Sequence, residues 1–262
     1  MRHRRLVLMP VGERTLHAQW HSWPERTYDV VVIAYEDFCE RRAPVLEASD
    51  RVFHRRGSKW SIVASVIDEL GADIDAYDTI WIPDDDIFIR APDVDRLFDL
   101  FERHRFALAQ PALSPQSHGS FAALVRRRRY LYRETNFVEV MAPIFSREAL
   151  RRVTPTMTQT DSGWGLDYLW SQHILANEKV GVIDAVAMTH VAPVSHDRPS
   201  PDSTYARLDL SPWKDLHSLE AEHGFERRVR TLRRRHDWTG LARRLANGPA
   251  RVIRRLARAR RS

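Results

Sequence analysis

The chain has 262 residues, 43% of them hydrophobic, which suits one sizeable α/β domain with a packed core and excludes a disordered chain. No apolar run approaches the ~20 residues needed to cross a bilayer, and a single cysteine, Cys39, excludes an intramolecular disulfide framework and a cysteine-based zinc site. The net charge of +6 is unevenly placed: Glu226 to Ser262 holds 14 arginines against two acids, so that segment is strongly basic and residues 1–225 are mildly acidic.

Arg5–Met9 reads as a first strand. Leu6–Val11 is too short for a signal-peptide core, so cytosolic residence is the expectation. Pro10-Val-Gly12 turns off the strand end, and Gly12 permits close backbone approach or a positive φ; Pro10 and Gly12 are candidate nucleotide contacts. Glu13–Trp20 reads as a helix and Tyr28–Ala34 as a second strand, followed by Tyr35-Glu36-Asp37. In a nucleotide-binding α/β unit an acid at such a strand end takes ribose hydroxyls or the base; Glu36 and Asp37 as plain loop acids are the alternative. Ser58 is placed to cap a helix through Leu70, whose apolar residues Ile62, Val63, Val66, Ile67 and Leu70 recur at helical spacing, and Gly71 ends it. Lys59, in the first turn, is a candidate phosphate contact or a solvated lysine.

The stretch Tyr77-Asp-Thr-Ile-Trp-Ile-Pro-Asp-Asp-Asp-Ile-Phe-Ile89 organises the rest. Ile80–Ile82 reads as a short strand buried on both faces, running straight into Asp84, Asp85 and Asp86. Three adjacent carboxylates repel one another and are costly to bury without a cation. Ligands bind at the carboxyl ends of strands in open α/β sheets. The pattern points to Mg²⁺ or Mn²⁺ on Asp84 and Asp86, with Asp85 assigned to the donor side. The alternative is an acidic turn capping the helix that Pro92 opens and that runs to about His104.

Further on, Phe106–Ala109 reads as a strand, and Arg126–Arg129 as a basic run able to grip a diphosphate or to form a solvated helix face. Phe137–Phe145 reads as a strand with Glu139 inside it; a carboxylate there needs a partner, which makes Glu139 a candidate catalytic residue. Ser146–Val153 reads as a short helix. In Thr160-Asp-Ser-Gly-Trp-Gly-Leu-Asp-Tyr168, two glycines free the backbone around an indole able to stack on a sugar, so Asp161, Trp164 and Gly165 are candidate acceptor or sugar contacts. Asp167 starts a predicted helix over 168–177, either as its cap or as a general base. Val180–Ile183 is a strand, and His190 after it is a structural histidine or a third metal ligand. Residues 193–212 read as a loop.

The basic tail divides into Arg227–Arg244 and Arg251–Arg261. In the second segment Ile253, Leu256 and Ala257 share a helical face opposite Arg251, Arg254, Arg255 and Arg258, the pattern of a helix on an anionic membrane surface. Nucleic acid is disfavoured as the partner by the acidic body and the lack of an interleaved aromatic platform. The domain division is therefore 1–225 as the catalytic α/β domain and 226–262 as a basic amphipathic tail.

Tyr77–Asp86, Gln110–Leu113, Val138–Ser146, Gly163–Tyr168, and Val180–Asp184 with His190 resemble the family labelled "lysine ketoglutarate reductase trans-splicing related", over roughly residues 5–195. That family is in turn similar to the GT-A glycosyltransferases. The resemblance implies a GT-A-like fold with a mixed, mainly parallel central sheet. It implies Mn²⁺ or Mg²⁺ held by Asp84 and Asp86 on the diphosphate of a nucleotide-sugar donor, with His190 completing the shell. Gly163-Trp-Gly-Leu-Asp167 resembles the Gly-Trp-Gly-Gly-Glu-Asp loop of β-1,4-galactosyltransferases, which implies that Trp164 contacts sugar and that Asp167 deprotonates the acceptor; here the loop is one residue shorter and holds one acid. The function implied is transfer of a sugar from a nucleotide-diphosphate donor; the basic tail, outside the resemblance, is what points to a polysaccharide or lipid-linked glycan as acceptor and to a protein peripheral to the membrane. A nucleotidyltransferase or hydrolase of nucleotide diphosphates, or a non-catalytic glycan- or nucleotide-binding protein, is the alternative.

Overall fold

The computed structural model describes residues 4–21, 23–37, 46–118, 121–192 and 204–237. Cys39 and the helical pattern over 251–261 lie outside them. Three strands, β1 (Arg5–Val11), β2 (Asp29–Ala34) and β3 (Arg51–His54), run parallel, and β4 (Thr79–Trp81) joins the other side of β1, also parallel. The order β3-β2-β1-β4 reverses direction between β1 and β4, and the carboxyl ends of these two strands form a switch point where ligands bind in open α/β sheets. The apolar runs of β1, β2 and β4 are buried on both faces, as continuous Val/Ile/Leu strands require.

Beyond β4 the sheet becomes mixed. The strand β8 (Ile144–Ser146) is antiparallel to β4 and to β6 (Leu108–Leu113), while β9 (Val180–His190) is parallel to β6. The two-residue β5 (Ile87–Phe88) pairs with Thr189 and His190 at the far end of β9. This pairing folds the segment after the aspartates back onto His190. The pairing of β9 with β6 slips at Pro111, where Ile183 pairs with Pro111 but Ala187 with Ala112. Proline cannot donate to the ladder, so the bulge forms there, and it releases Asp184 to meet the guanidinium of Arg133 at 2.7 and 3.0 Å.

Helices pack on this frame. The helix α1 (Ala18–His21) is shorter than predicted, because Leu16 is drawn to the Asp85 carbonyl by a 2.8 Å hydrogen bond that helical continuation would break. The helices α2 (Lys59–Leu70) and α3 (Ala91–Arg103) follow the expected periodicity; in α3, Val94, Leu97, Phe98 and Phe101 make the buried face. Ser58 sits at the cap of α2, but its hydroxyl goes to Ser61 Oγ instead of a backbone amide. Ser146 caps α4 (Arg147–Val153) through the Ala149 amide. The helix predicted over 168–177 is α5 (Leu166–Leu169) continued by one π turn, Trp170–Ile174. Within the region read as a loop lies α6 (Thr204–Arg207), and α7 (Pro212–His223) follows it.

The sheet continues past residue 225. The strand β10 (Thr231–His236) pairs antiparallel with β7 (Tyr130–Thr135), which is antiparallel to β9. The first basic segment thus carries an edge strand where a tail was expected. The open edge of β7 supplies backbone partners that outweigh the electrostatic pattern.

Candidate active site

The acid cluster sits at the switch point. Asp84 N–H donates to the Met141 carbonyl (2.8 Å) and Ile82 N–H to that of Pro143 (2.9 Å), so the loop after Phe137 fixes the backbone of the aspartates. Their three carboxylates then diverge. Asp84 Oδ1 accepts from Lys59 Nζ at 2.5 Å. Asp85 Oδ2 accepts from Gly12 N–H at 2.7 Å and from the Tyr35 hydroxyl at 2.9 Å. Asp86 Oδ2 lies 3.0 Å from His190 Nε2.

Each interaction has an electrostatic consequence. Burial pushes the Asp85 carboxyl up to about 6, against the hydrogen bonds from Gly12 and Tyr35. Around the Lys59–Asp84 pair, burial pushes the ammonium down and the carboxyl up, and each is opposed by the other's charge. Burial alone would lower His190, but the hydrogen bond to Asp86 and the charges of Asp86 and Asp84 raise it to about 9. His190 Nδ1 lies 2.8 Å from the His118 carbonyl, which only accepts, so Nδ1 carries a proton in either charge state, and Nε2, turned to the acids, is the nitrogen a metal ion would take in place of its proton.

Asp84, Asp86 and His190 each offer one donor atom, and these atoms all lie within 4.8 Å of one another. Asp86 Oδ1 is buried and has no hydrogen-bond partner among the described residues, an orphaned anion of the kind a cation would satisfy. Two carboxylates and an imidazole whose far nitrogen is held by a carbonyl therefore fit a divalent metal ion.

A second group of residues surrounds the Gly-Trp-Gly loop. Gly163 (φ +81°) lies so close to Trp60 that a Cβ would stand 2.5 Å from its Cδ1, and Gly165 (φ +93°) turns the chain into α5 against Leu219. Asp167 is buried, with Oδ1 accepting from Tyr168 N–H at 2.9 Å. Burial, with the charge of Glu139 adding, lifts its carboxyl to about 8. Glu139 is buried as expected, but in a loop and not a strand. The Gln110 side chain takes its amide at 2.7 Å and Ser171 Oγ takes that of Val138 at 3.1 Å, replacing a neighbouring strand.

Trp164 is half-buried; its indole N–H donates to the Tyr205 hydroxyl (3.1 Å) and its ring meets Trp213 edge-on, centroids 5.2 Å apart. Burial and the charges of Asp84, Asp167 and Asp86 push the Tyr205 hydroxyl up to about 12, against the Trp164 hydrogen bond. Tyr205 thus stands within electrostatic reach of both groups.

Other expected contacts are placed differently. Lys59 spends its remaining donor capacity on the carbonyls of Val140, Met141 and Ile82, so it faces protein and not a phosphate. Asp37 is exposed and pairs with Arg56, away from the cluster. Glu36 accepts from Glu13 N–H and from Arg207, whose hydrogen bond holds its carboxyl low. Pro10 is an interior residue of β1 and Asp161 is exposed. Arg126 and Arg127 are tied to Asp184 and Ala185 backbone and side-chain oxygens, not to the cluster. Sequence reasoning missed Tyr205, Arg207 and Trp213, which lie in or just after a stretch rich in Pro, Ser and Asp that carries no periodic signal. Tyr35 was legible only as a strand-end neighbour of Glu36.

This sheet order, with an acid cluster at the switch point, is a GT-A-like fold, and solved glycosyltransferases share it. S. aureus TarS 1–349 in complex with UDP-GlcNAc superposes at a TM-score of 0.50 with 13% identity, covering 84% of this chain and 72% of that one. GalNAc-T7 with UDP, GalNAc and Mn²⁺ superposes at 0.55 with 11% identity, covering 84% and 51%. TarS 1–349 alone is covered over 59% of its length and TarS over 44%, so the chain spans about half of these proteins. By sequence, residues 1–247 match the family described as "Protein of unknown function (DUF707)", and the chain belongs to that family. The match carries this description and not the trans-splicing-related label. No curated protein matches the chain.

Proposed function

We propose that this protein is a metal-dependent glycosyltransferase using a nucleotide-sugar donor. The observation that carries the reading is the set Asp84, Asp86 and His190, with donor atoms within 4.8 Å at the switch point of a GT-A-like sheet and one buried Asp86 oxygen without a hydrogen-bond partner among the described residues. Mn²⁺ fits the mixed oxygen–nitrogen set better than Mg²⁺, which favours oxygen alone. Such a cation, when bound, neutralises charge developing on a diphosphate leaving group. TarS and GalNAc-T7, which share the fold, were solved with UDP-GlcNAc and with UDP, GalNAc and Mn²⁺.

The chain's own residues take the remaining roles. Asp85 holds Gly12 and Tyr35 so that the end of β1 and the end of β2 present one continuous rim to the donor. Trp164, steadied by Tyr205, offers its ring to a sugar. Asp167, with Glu139 beside it, receives the proton of the acceptor hydroxyl; its raised affinity for protons suits a base working near neutral to mildly alkaline pH. The acceptor class is a polysaccharide or lipid-linked glycan, and the basic segment from 226 onward brings the enzyme to an anionic membrane surface.

Calorimetric titration of UDP, GDP and CMP, each with and without Mn²⁺, tests the reading on the wild type and on Asp84→Asn/Asp86→Asn. Metal-dependent binding of one nucleotide, lost in the double variant, is expected. A folded wild type that binds none of the three overturns the proposal.

A further inference from the structure

Two arginine runs far apart in sequence meet at one edge of the sheet. Arg233, Arg234 and Arg235 are exposed along the edge strand β10, and Arg128 and Arg129 are exposed in the turn that enters β7. The backbone locks the runs together, since Asp237 N–H donates to the Arg129 carbonyl at 3.0 Å. The guanidinium groups of Arg129 and Arg234 lie 4.8 and 5.9 Å from the Tyr130 ring centre.

Among the described residues no carboxylate lies within ion-pairing distance of Arg128, Arg129, Arg234 or Arg235, whereas Arg227, Arg230 and Arg233 have Glu220, Glu226 and Glu134. One or two charges suffice to discourage an exposed edge from pairing with another chain; here a second, remote run is added to a strand already protected.

The edge also points in a defined direction. The strand β10 is antiparallel to β7, and β7 to β9; β9 is parallel to β6, and β6 and β4 are both antiparallel to β8. The far end of β10 and the turn before β7 therefore lie at the end of the sheet that carries Asp84, Asp86 and His190.

We propose that this edge is a docking surface for acidic phospholipid headgroups, holding the folded domain with the carboxyl end of its sheet toward the bilayer. It acts independently of residues 238–262 and does not require the transferase reading. Charge complementarity selects an anionic partner. Tyr130 is only 4% exposed beneath its arginines, so the patch offers no open ring on which bases could stack.

The test uses the full-length chain and sedimentation with phosphatidylcholine vesicles, pure or holding about one third phosphatidylglycerol. Three proteins are compared: wild type, a variant with Arg128, Arg129, Arg234 and Arg235 all replaced by Gln, and a variant with every arginine after Asp237 replaced by Gln. Expected are preference of the wild type for the anionic vesicles, a loss of about tenfold or more in the four-site variant, and retained anionic preference in the tail variant. Replacing the same four arginines with Lys should keep both binding and melting temperature, which separates charge from folding. The proposal is overturned if the four-site Gln variant binds like wild type, if only the tail variant loses binding, if the wild type ignores lipid charge, or if it binds single-stranded DNA but no vesicle.

Discussion

Lys59 Nζ lies 2.5 Å from Asp84 Oδ1 and also donates to three backbone carbonyls, so the acid cluster carries an internal cation of its own. The ammonium offsets one of three adjacent carboxylates and leaves Asp86 to His190. Lys59→Ala should therefore expose an uncompensated Asp84 and cost about 3 kcal/mol, the low end for breaking a buried pair because Asp84 keeps 32% of its side chain open to water. Mn²⁺ at millimolar concentration should return most of that loss, since a ligand that binds only the folded state stabilises it by mass action. Thermal melts of both proteins with and without Mn²⁺ check this; equal metal responses in wild type and variant would count against a cation site on Asp84.

Gly12 is where β1 touches the cluster. A Cβ there would stand 2.5 Å from the Tyr35 hydroxyl oxygen and 2.9 Å from Glu36 Oε2, while the Gly12 amide is bound to Asp85. Gly12→Ala should push Tyr35 off Asp85 and cost about 1–3 kcal/mol of overpacking strain. It should weaken nucleotide binding more than the conservative Tyr35→Phe, which removes one hydrogen bond and moves no backbone. Denaturant melts and nucleotide calorimetry on both variants separate the two effects.

Arg133 and Asp184 form a two-pronged pair with side chains 3% and 0% exposed, and Asp184 also accepts from Arg127 N–H. Arg133→Met should leave a buried carboxylate and lower stability by about 3–5 kcal/mol, while Arg133→Met/Asp184→Leu should recover much of it. Denaturant unfolding of the single and double variants measures the difference; additive losses would mean that the pair does not act as a unit.

Much of this was legible in the chain and some was not, for physical reasons. Ile80–Ile82 could be read as a strand because a β-branched, aromatic run has few other uses, and the carboxylates after it because burying three unpaired charges is costly. The periodic faces of α2 and α3 were readable for the same local reasons. The roles within the cluster were not: Lys59 reads as a phosphate contact until the loop at Val140 and Met141 is seen to bring carbonyls to it. Glu139 reads as a strand residue because its apolar neighbours suit a strand, while the partners that divert it, Gln110 and Ser171, are remote in sequence. The edge strand β10 was hidden by its charges, since Arg233-Arg234-Arg235 carries no alternation and pairs only because β7 has an open side.

Asp167 makes the stability of the fold depend on pH in a defined direction. Burial raises its carboxyl to about 8 in the folded protein, against about 3.9 in an unfolded chain. Between those values the folded state binds the extra proton, so this group's contribution to stability is fully present below about pH 4 and is lost as pH rises through 8. Asp167→Asn, which cannot ionise, should remove that loss; the stability difference between variant and wild type should grow from pH 5 to pH 8 and level off above it. Sugar transfer should run the other way. A base must be deprotonated to accept the acceptor's proton, so wild-type kcat should rise toward pH 8, and Asp167→Asn should lower it by about a hundredfold to ten-thousandfold with that rise abolished. Urea unfolding at four pH values and a pH–rate profile, on the same two proteins, test both halves. A flat stability difference would mean that Asp167 is not held protonated by its burial, and an unchanged rate profile would pass the role of base to Glu139.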